Sequence, residues 1–166
     1  MKKYNFWRKI VTFITLCLCL TIANIPPAFA SIHKYPETGD RVMFRSVQSL
    51  RDSEDKAWQV VLYKRVKSGV VNSFNLRLVG FPGTQLQHPF PLTVAAGNRE
   101  IGKANDIWSD SDLPANVGEY DFKSIITQLD SNRPLRLNLP VKDRQETELL
   151  VPPFSVREWR LLLDTN

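Results

Sequence analysis

The residue types that catalysis uses most are scarce in this chain, which has two histidines and two cysteines. His33 lies in a polar stretch, and His88 lies in the proline-rich sequence His88-Pro89-Phe90-Pro91. The histidines are far apart and no Ser or Cys nucleophile accompanies His88 at a recognised spacing, so they indicate neither a metal site nor a catalytic triad. The sequence favours a turn or surface role for His88, and it predicts no catalytic residue and no metal ligand.

Acidic residues gather in the second half of the chain. Five of them lie close together: Asp106, Asp110, Asp112, Glu119 and Asp121. Hard cations such as calcium bind oxygen clusters of this kind, but Leu113 and Pro114 stand where the EF-hand pattern requires a further ligand and a glycine. Solvated loop charge and helix capping therefore explain these residues better, and no cofactor is predicted.

The sequence Gly80-Phe81-Pro82-Gly83 is a candidate for a functional loop. It is not a phosphate-binding loop, because no Lys-Ser or Lys-Thr pair follows it and no helix begins there. One interpretation is a tight turn at the end of a strand. The other is an exposed aromatic surface that contacts a partner. The candidate contact residues are Phe81, Pro82, His88, Phe90 and Trp108.

Two neighbouring apolar runs predict the strands that lead into this loop. Trp58 to Val66 is apolar on both faces, which is typical of a central strand, whereas Phe74 to Phe81 alternates between apolar and polar residues. Ser68-Gly69 and Asn72-Ser73 lie between the two runs and favour a hairpin connection. The sequence therefore predicts an antiparallel pair with Trp58 in the core.

Shorter apolar runs predict the other strands of the sheet. They are expected at four places: Arg41–Leu50, Leu92–Ala96, Leu135–Val141 and Thr147–Val151. By contrast, Ser31–Asp40 is polar and Gly97–Gly118 is rich in turn residues, so both segments are expected to be irregular.

Two helices are predicted in the second half of the chain. One helical face is shared by four apolar residues: Phe122, Ile125, Ile126 and Leu129. Before the second helix, Ser155 and Glu158 have the spacing of a capping box, and Phe154 is placed to pack on Trp159 as a hydrophobic staple. Helices that follow strands joined by hairpins indicate an α+β fold, with a mostly antiparallel sheet and two packed helices.

Residues 1–30 have the pattern of a cleavable signal peptide. Four cations begin the chain: Lys2, Lys3, Arg8 and Lys9. The charge-free apolar run Ile10–Ile22 follows, and Ala28-Phe29-Ala30 offers small residues where signal peptidase cuts. An uncleaved anchor is the alternative, but the apolar run is shorter than the roughly 20 residues that span a bilayer. Cleavage leaves residues 31–166, a length typical of a single globular domain.

Removal of this segment changes the composition of the chain. The full sequence has a formal net charge of +5, but the mature chain has 18 cationic and 17 acidic residues. Both cysteines, Cys17 and Cys19, also lie in the signal segment. A nearly neutral, cysteine-free mature chain argues against nucleic-acid binding and thiol chemistry.

Several motifs resemble a known family when they are taken as a set: Ser49-Leu50-Arg51-Asp52, Trp58-Gln59-Val60-Val61-Leu62-Tyr63-Lys64, Leu76-Arg77-Leu78-Val79-Gly80-Phe81-Pro82-Gly83 and His88-Pro89. The set is similar to a family of small exported cyanobacterial proteins classed as a domain of unknown function. The resemblance covers roughly Tyr35 to Leu163. It implies the periplasm or thylakoid lumen of a photosynthetic bacterium, but no assigned activity, cofactor or catalytic residue.

Three functions are compatible with these observations. The first is a non-enzymatic accessory or assembly factor that binds a membrane complex or envelope protein in the periplasm or thylakoid lumen. The second is a carrier of a small ligand, a lipid or pigment, with a pocket between sheet and helices. The third is a hydrolase that uses an Asp or Glu pair with His88, which requires a carboxylate near that histidine in the fold. No membrane span is expected after signal cleavage.

Overall fold

A computed structural model describes residues 7, 32–107, 114–143 and 147–165. Within these ranges the chain forms nine strands and two helices. The strands are β1 (His33–Glu37), β2 (Arg41–Arg51), β3 (Ala57–Lys67), β4 (Val70–Gly80), β5 (Leu92–Ala96), β6 (Arg99–Ala104), β7 (Val117–Asp121), β8 (Leu135–Leu139) and β9 (Thr147–Val151). The helices are α1 (Lys123–Ile126) and α2 (Pro153–Asp164). The predicted combination of mostly antiparallel sheet and two helices is confirmed, and strand residues far outnumber helical ones.

The strands form two antiparallel sheets, whereas the sequence predicts a single one. One sheet has the order β1-β2-β3-β4-β7, and the other has the order β6-β5-β8-β9. Isolated bridges join the sheets at two places. Asp52, which follows β2, pairs with Leu149 of β9, and Asp106, which lies beyond β6, pairs with Tyr120 of β7. The two sheets are therefore linked by backbone pairing as well as by a shared core.

The hairpin of β3 and β4 lies at the centre of the first sheet. Lys67 and Val70 are paired across a two-residue turn, Ser68-Gly69, whose φ angles are 50° and 78°. Positive φ at both positions is what a type I′ hairpin turn requires, and a glycine at the second position removes the steric cost there. Trp58 is 1% exposed. The predicted antiparallel pair and the core position of Trp58 are confirmed.

Three strands lie in segments that were expected to be irregular, and that expectation is wrong. β1 occupies part of Ser31–Asp40, β6 lies within Gly97–Gly118, and β7 begins at the end of that segment and continues to Asp121. β1 and β6 carry mostly exposed or half-exposed side chains, so the sequence shows no clear apolar alternation there. Pairing with β2 and β5 provides the backbone hydrogen bonds instead.

The apolar core lies between the inner faces of the two sheets. Leu76 of the first sheet and Leu137 of the second have no exposed surface, and both belong to the same buried cluster. Trp159 of α2 and Phe122, which precedes α1, also belong to this cluster, and their rings meet edge to face with centres 5.7 Å apart. Burial of this apolar surface is the main favourable term in folding.

Helix α1 is shorter than the sequence predicts. The pattern extends to Leu129, but the helix covers Lys123–Ile126 only. The expected apolar side chains are nevertheless buried, with Ile125 and Ile126 each 1% exposed. Asp121 lies just before the N-cap residue Phe122 and accepts a hydrogen bond from the backbone N–H of Lys123 at 3.0 Å, so it satisfies one free donor of the first turn.

Helix α2 does not begin with the predicted capping box. Pro152 occupies the N-cap position without a side-chain hydrogen bond, and the helix starts at Pro153, where a missing N–H costs nothing. Ser155 and Glu158 are 0% and 3% exposed instead of facing the helix end. Phe154 is 61% exposed, so the expected staple onto Trp159 is also wrong. Among the described helices, none is long and apolar enough to cross a membrane.

The other end of α2 is held by a buried lysine from the sheet. Lys64 is 1% exposed, and its Nζ donates to the backbone oxygens of Leu163, at 3.0 Å, and Thr165. The last carbonyls of a helix lack partners and carry partial negative charge, so an ammonium group satisfies them. Burial lowers the pKa of Lys64.

Glu158 is expected to make the unfolding free energy depend on pH, and the substitution Glu158→Gln measures this contribution separately. Burial raises the pKa of Glu158, although the hydrogen bond from Gln48 opposes the shift. A carboxyl whose pKa is raised on folding stabilises the fold at low pH, and that contribution is lost as the pH rises through the folded-state pKa. We expect Glu158→Gln to gain stability relative to the wild type as the pH rises from about 4 to about 7.

Urea denaturation of both proteins across this pH range measures the difference in unfolding free energy. The lowered pKa of Glu119 affects both proteins equally, so its contribution cancels in the comparison. A difference that stays constant with pH, or that shrinks as the pH rises, would show that the Glu158 carboxyl is not desolvated in the fold.

Candidate functional site

The β4–β5 loop (residues 81–91) begins where Gly80 lies against the indole of Trp58. A Cβ atom at position 80 would lie 2.9 Å from two ring carbons of Trp58, so only glycine fits without a shift of the ring. The indole is itself fixed, because its Nε1–H donates to Asp52 Oδ2 at 3.0 Å. The core therefore sets the point at which the loop leaves the sheet.

Backbone hydrogen bonds hold the β4–β5 loop to its neighbours along its length. Asn116 binds Gly80 twice, through its backbone oxygen at 2.8 Å and its side-chain amide at 2.7 Å. Leu86 N–H donates to Ala115 at 2.8 Å, and Gln87 N–H donates to Pro140 at 2.7 Å. These hydrogen bonds restrict the loop before binding, so less conformational entropy remains to be lost when it binds.

The anchored loop presents two phenyl rings to solvent. Phe81 is 56% exposed and Phe90 is 52% exposed, and Pro82 is exposed beside Phe81. Full burial of a phenylalanine side chain stabilises a protein by about 1.5–3 kcal/mol, and folding of this chain gains only part of that stabilisation at Phe81 and Phe90. Exposed aromatic groups on a rigid loop are typical of contact sites for other molecules.

His88, in contrast, points into the protein. Its Nδ1 lies 2.6 Å from Oδ2 of Asp106, and the two side chains are 12% and 2% exposed. Asp106 is the nearby carboxylate that the hydrolase hypothesis requires. However, Nε2 of His88 is buried, so a substrate does not reach it in this conformation. The pair connects the loop to the segment that extends β6.

The surroundings of Asp106 explain its orientation. Its backbone forms an isolated bridge with Tyr120, and Ile107 N–H donates to the backbone oxygen of Glu119 at 2.9 Å, so the segment is paired with β7 at this point. Burial and the charge of Asp106 raise the pKa of Tyr120, which keeps that phenol neutral. The His88–Asp106 contact therefore attaches the β4–β5 loop to the segment that pairs with β7.

Two other groups of candidate residues have different outcomes. Trp108 lies outside the described residues, as do Asp110 and Asp112 of the acidic stretch. In the ranges that the structure describes, no group of three or more His, Cys, Asp or Glu side chains is arranged to hold a metal ion.

A polar cluster on the outer face of the first sheet was not recognised in the sequence. Tyr63 is 3% exposed, and its hydroxyl donates to a carboxylate oxygen of Glu119. Arg77 binds the other oxygen of Glu119 through Nε at 3.0 Å and Nη2 at 2.6 Å. Burial raises the pKa of Glu119, but the hydrogen bonds from Tyr63 and Arg77 outweigh it and hold this pKa below its usual value. Burial and the bond to Glu119 raise the pKa of Tyr63.

The spacing of these residues in the sequence is consistent with a shared face, but the cluster can be recognised only when the pairing of β3 with β4 is known. Tyr63 and Arg65 are two residues apart on β3, and Asn75 and Arg77 are two residues apart on β4, so each pair points to one face. Only the observed register brings Tyr63 opposite Asn75.

Comparison with known proteins gives a family but no activity. No curated protein and no solved structure matches the chain significantly. A family model described as "Protein of unknown function (DUF3122)" matches residues 30–162, which is most of the sequence. The chain therefore belongs to the DUF3122 family.

Proposed function

We propose that this protein is a non-enzymatic accessory or assembly factor that acts outside the cytoplasm, in the periplasm or thylakoid lumen. Its partner is a protein of a membrane complex or of the envelope, and the contact surface is the β4–β5 loop. The observation that carries the proposal is the exposure of Phe81 and Phe90 on a loop fixed by backbone hydrogen bonds. The signal-peptide pattern of residues 1–30 supports the compartment.

The mature chain, residues 31–166, acts as a single globular domain in this proposal. The sharing of one buried cluster by both sheets and both helices supports this organisation. A single rigid domain suits the proposed role, because the loop is then displayed on a scaffold that does not rearrange on binding. Aromatic side chains at the centre of an interface supply much of its binding free energy.

The two alternatives remain predictions with less support. A lipid or pigment carrier needs space between sheet and helices, and that region holds the large buried side chains Trp58, Phe74 and Trp159. A hydrolase needs a reactive nitrogen that substrate reaches, and His88 Nε2 is buried. Neither obstacle affects a protein that binds through its surface.

The experiment compares two variants of the full chain carrying a C-terminal tag, expressed in the cells that produce it. Phe81→Ser combined with Phe90→Ser removes the two exposed rings, and Val70→Ser is the matched control because Val70 is 65% exposed at the start of β4. Phe81 follows the end of the same strand, about 35 Å away at roughly 3.3 Å per residue. Proteins that co-purify from solubilised membranes are then quantified.

We expect one partner to be recovered with the wild type and the Val70→Ser variant. The double Phe variant should recover about tenfold less of it, because each lost contact of about 1 kcal/mol or more weakens binding several-fold. Equal recovery of the partner with both variants would exclude the β4–β5 loop as the contact surface. Recovery of the tagged chain alone in every case would contradict the accessory function itself.

A further inference from the structure

The outer face of the first sheet contains a groove that the proposed function does not use. It has a volume of about 260 Å³ and is lined by side chains of β2, β3 and β4. Three arginines, Arg45, Arg65 and Arg77, surround it, and Tyr63, Val61 and Val79 form part of its lining. The register explains this convergence, because Arg45 lies opposite Tyr63 and Arg77 lies opposite Val61.

Aromatic rings hold the three guanidinium groups in place. Arg65 and Arg77 lie 5.0 and 5.9 Å from the ring centre of Tyr63, and Arg45 lies 4.1 Å from that of Tyr35. Nη2 of Arg45 also donates to the Tyr35 hydroxyl at 2.7 Å. Contacts of this kind reduce the freedom of long side chains, so less entropy is lost when a ligand binds.

Two of the three positive charges are already balanced by carboxylates. Arg65 Nε lies 3.0 Å from Glu37 Oε1, and Arg77 Nη2 lies 2.6 Å from Glu119 Oε2. In the part of the chain that the structure describes, Arg45 forms no ion pair with a carboxylate. The groove therefore carries an excess of one positive charge, and that charge is on Arg45.

Arg45 also has a hydrogen-bond donor that no protein atom accepts. Its Nε is buried and has no partner among the described residues. An anion in the groove does not reach this buried atom in the present conformation, but it would balance the positive charge of the guanidinium group to which the atom belongs.

We propose that this groove binds a phosphate group, with Arg45 as its main ligand and Arg65 and Arg77 as flanking cations. A phosphate offers three or more acceptor oxygens, which suits several guanidinium groups that approach from different strands. The groove is smaller than the roughly 300–1,000 Å³ pockets of drug-sized ligands, so it suits free phosphate or a phosphate head group. This inference does not depend on the function of the β4–β5 loop.

Titration with inorganic phosphate at constant ionic strength tests the site, followed by NMR of the arginine Nε–H groups. We expect the Arg45 Nε–H resonance of the wild type to shift on binding, a readout that needs no variant. Arg45→Gln should bind phosphate at least about tenfold more weakly. Arg41→Gln, which removes an exposed charge from the same strand outside the groove, should bind like the wild type.

A second arm distinguishes the source of the phosphate group. Binding to phosphatidylglycerol vesicles but not to phosphatidylcholine vesicles, with loss in Arg45→Gln and no effect of inorganic phosphate, assigns a lipid head group. Phosphate binding without vesicle binding assigns the free anion. The proposal is overturned if the Arg45 resonance is unchanged in both arms, or if Arg41→Gln weakens binding as much as Arg45→Gln.

Discussion

Trp58→Ala is expected to lower the unfolding free energy by about 3–5 kcal/mol. Trp58 is 1% exposed, and it lies over Gly80 at the end of the central hairpin. Replacement by alanine removes the largest packing contribution at this end of the sheet and leaves a cavity that the surrounding strands cannot close. It also leaves Asp52 Oδ2 without the indole N–H that lies 3.0 Å away. Chemical denaturation followed by circular dichroism measures the change.

Trp58→Phe separates the contribution of packing from that of the hydrogen bond to Asp52. The phenyl ring keeps most of the buried apolar surface but has no N–H group, so we expect a loss of about 1–3 kcal/mol. A loss below about 1 kcal/mol for Trp58→Ala would contradict the central position of this residue. It would also remove the argument that the core fixes the start of the β4–β5 loop.

Trp159→Ala is expected to have an effect of similar size, about 3–5 kcal/mol. Trp159 has no exposed surface, and its ring meets Phe122 edge to face at 5.7 Å. It therefore joins α2 to the segment before α1, and its removal should weaken the docking of α2 on the first sheet. The matched control is Leu161→Ala on the same helix, because Leu161 is 52% exposed.

Thermal and chemical unfolding of the two α2 variants tests this expectation. We expect Leu161→Ala to change the unfolding free energy by less than about 1 kcal/mol, since little apolar surface is buried there. If both substitutions had equal effects, α2 would not be packed through the face that contains Trp159. The indole N–H of Trp159 is buried without a partner among the described residues, so its removal leaves no hydrogen-bond acceptor unpaired and the expected loss comes from packing alone.

The strands with a clear apolar pattern could be predicted from the sequence. Leu76 and Leu78 alternate with polar residues on β4, and this alternation specifies which face is buried. β1 and β6 lack such a pattern because their side chains are largely exposed, so only their partners determine that they are strands. Local sequence therefore indicated the strands that have an apolar face, including the edge strand β9, and missed the exposed edge strands β1 and β6.

The start of α2 shows how tertiary packing overrides a local motif. Ser155 and Glu158 have the spacing of a capping box, but both are buried. Gln48, which is 110 positions away in the chain, donates to the Glu158 carboxylate at 2.8 Å. A partner so distant in sequence leaves no local signal, and the helix starts at Pro153 instead.

Among the candidate sites, some features follow from local sequence and others depend on contacts between residues distant in the chain. The exposure of Phe81 and Phe90 is compatible with both interpretations of Gly80–Gly83, the tight turn and the partner contact, because a turn sequence next to a strand end indicates a surface loop. The contact between His88 and Asp106 joins residues 18 positions apart, and the arginine groove depends on the register of three strands. Neither arrangement is visible before the strands are paired.

Site-specific photo-crosslinking in the producing cells tests the proposed function most directly. A benzophenone amino acid is placed at position 81 or, as the control, at position 70, which is similarly exposed at the far end of β4. We predict a defined adduct with one membrane-complex or envelope protein from position 81 and none from position 70. No adduct from position 81, or the same adducts from both positions, would contradict a partner-binding role for the β4–β5 loop.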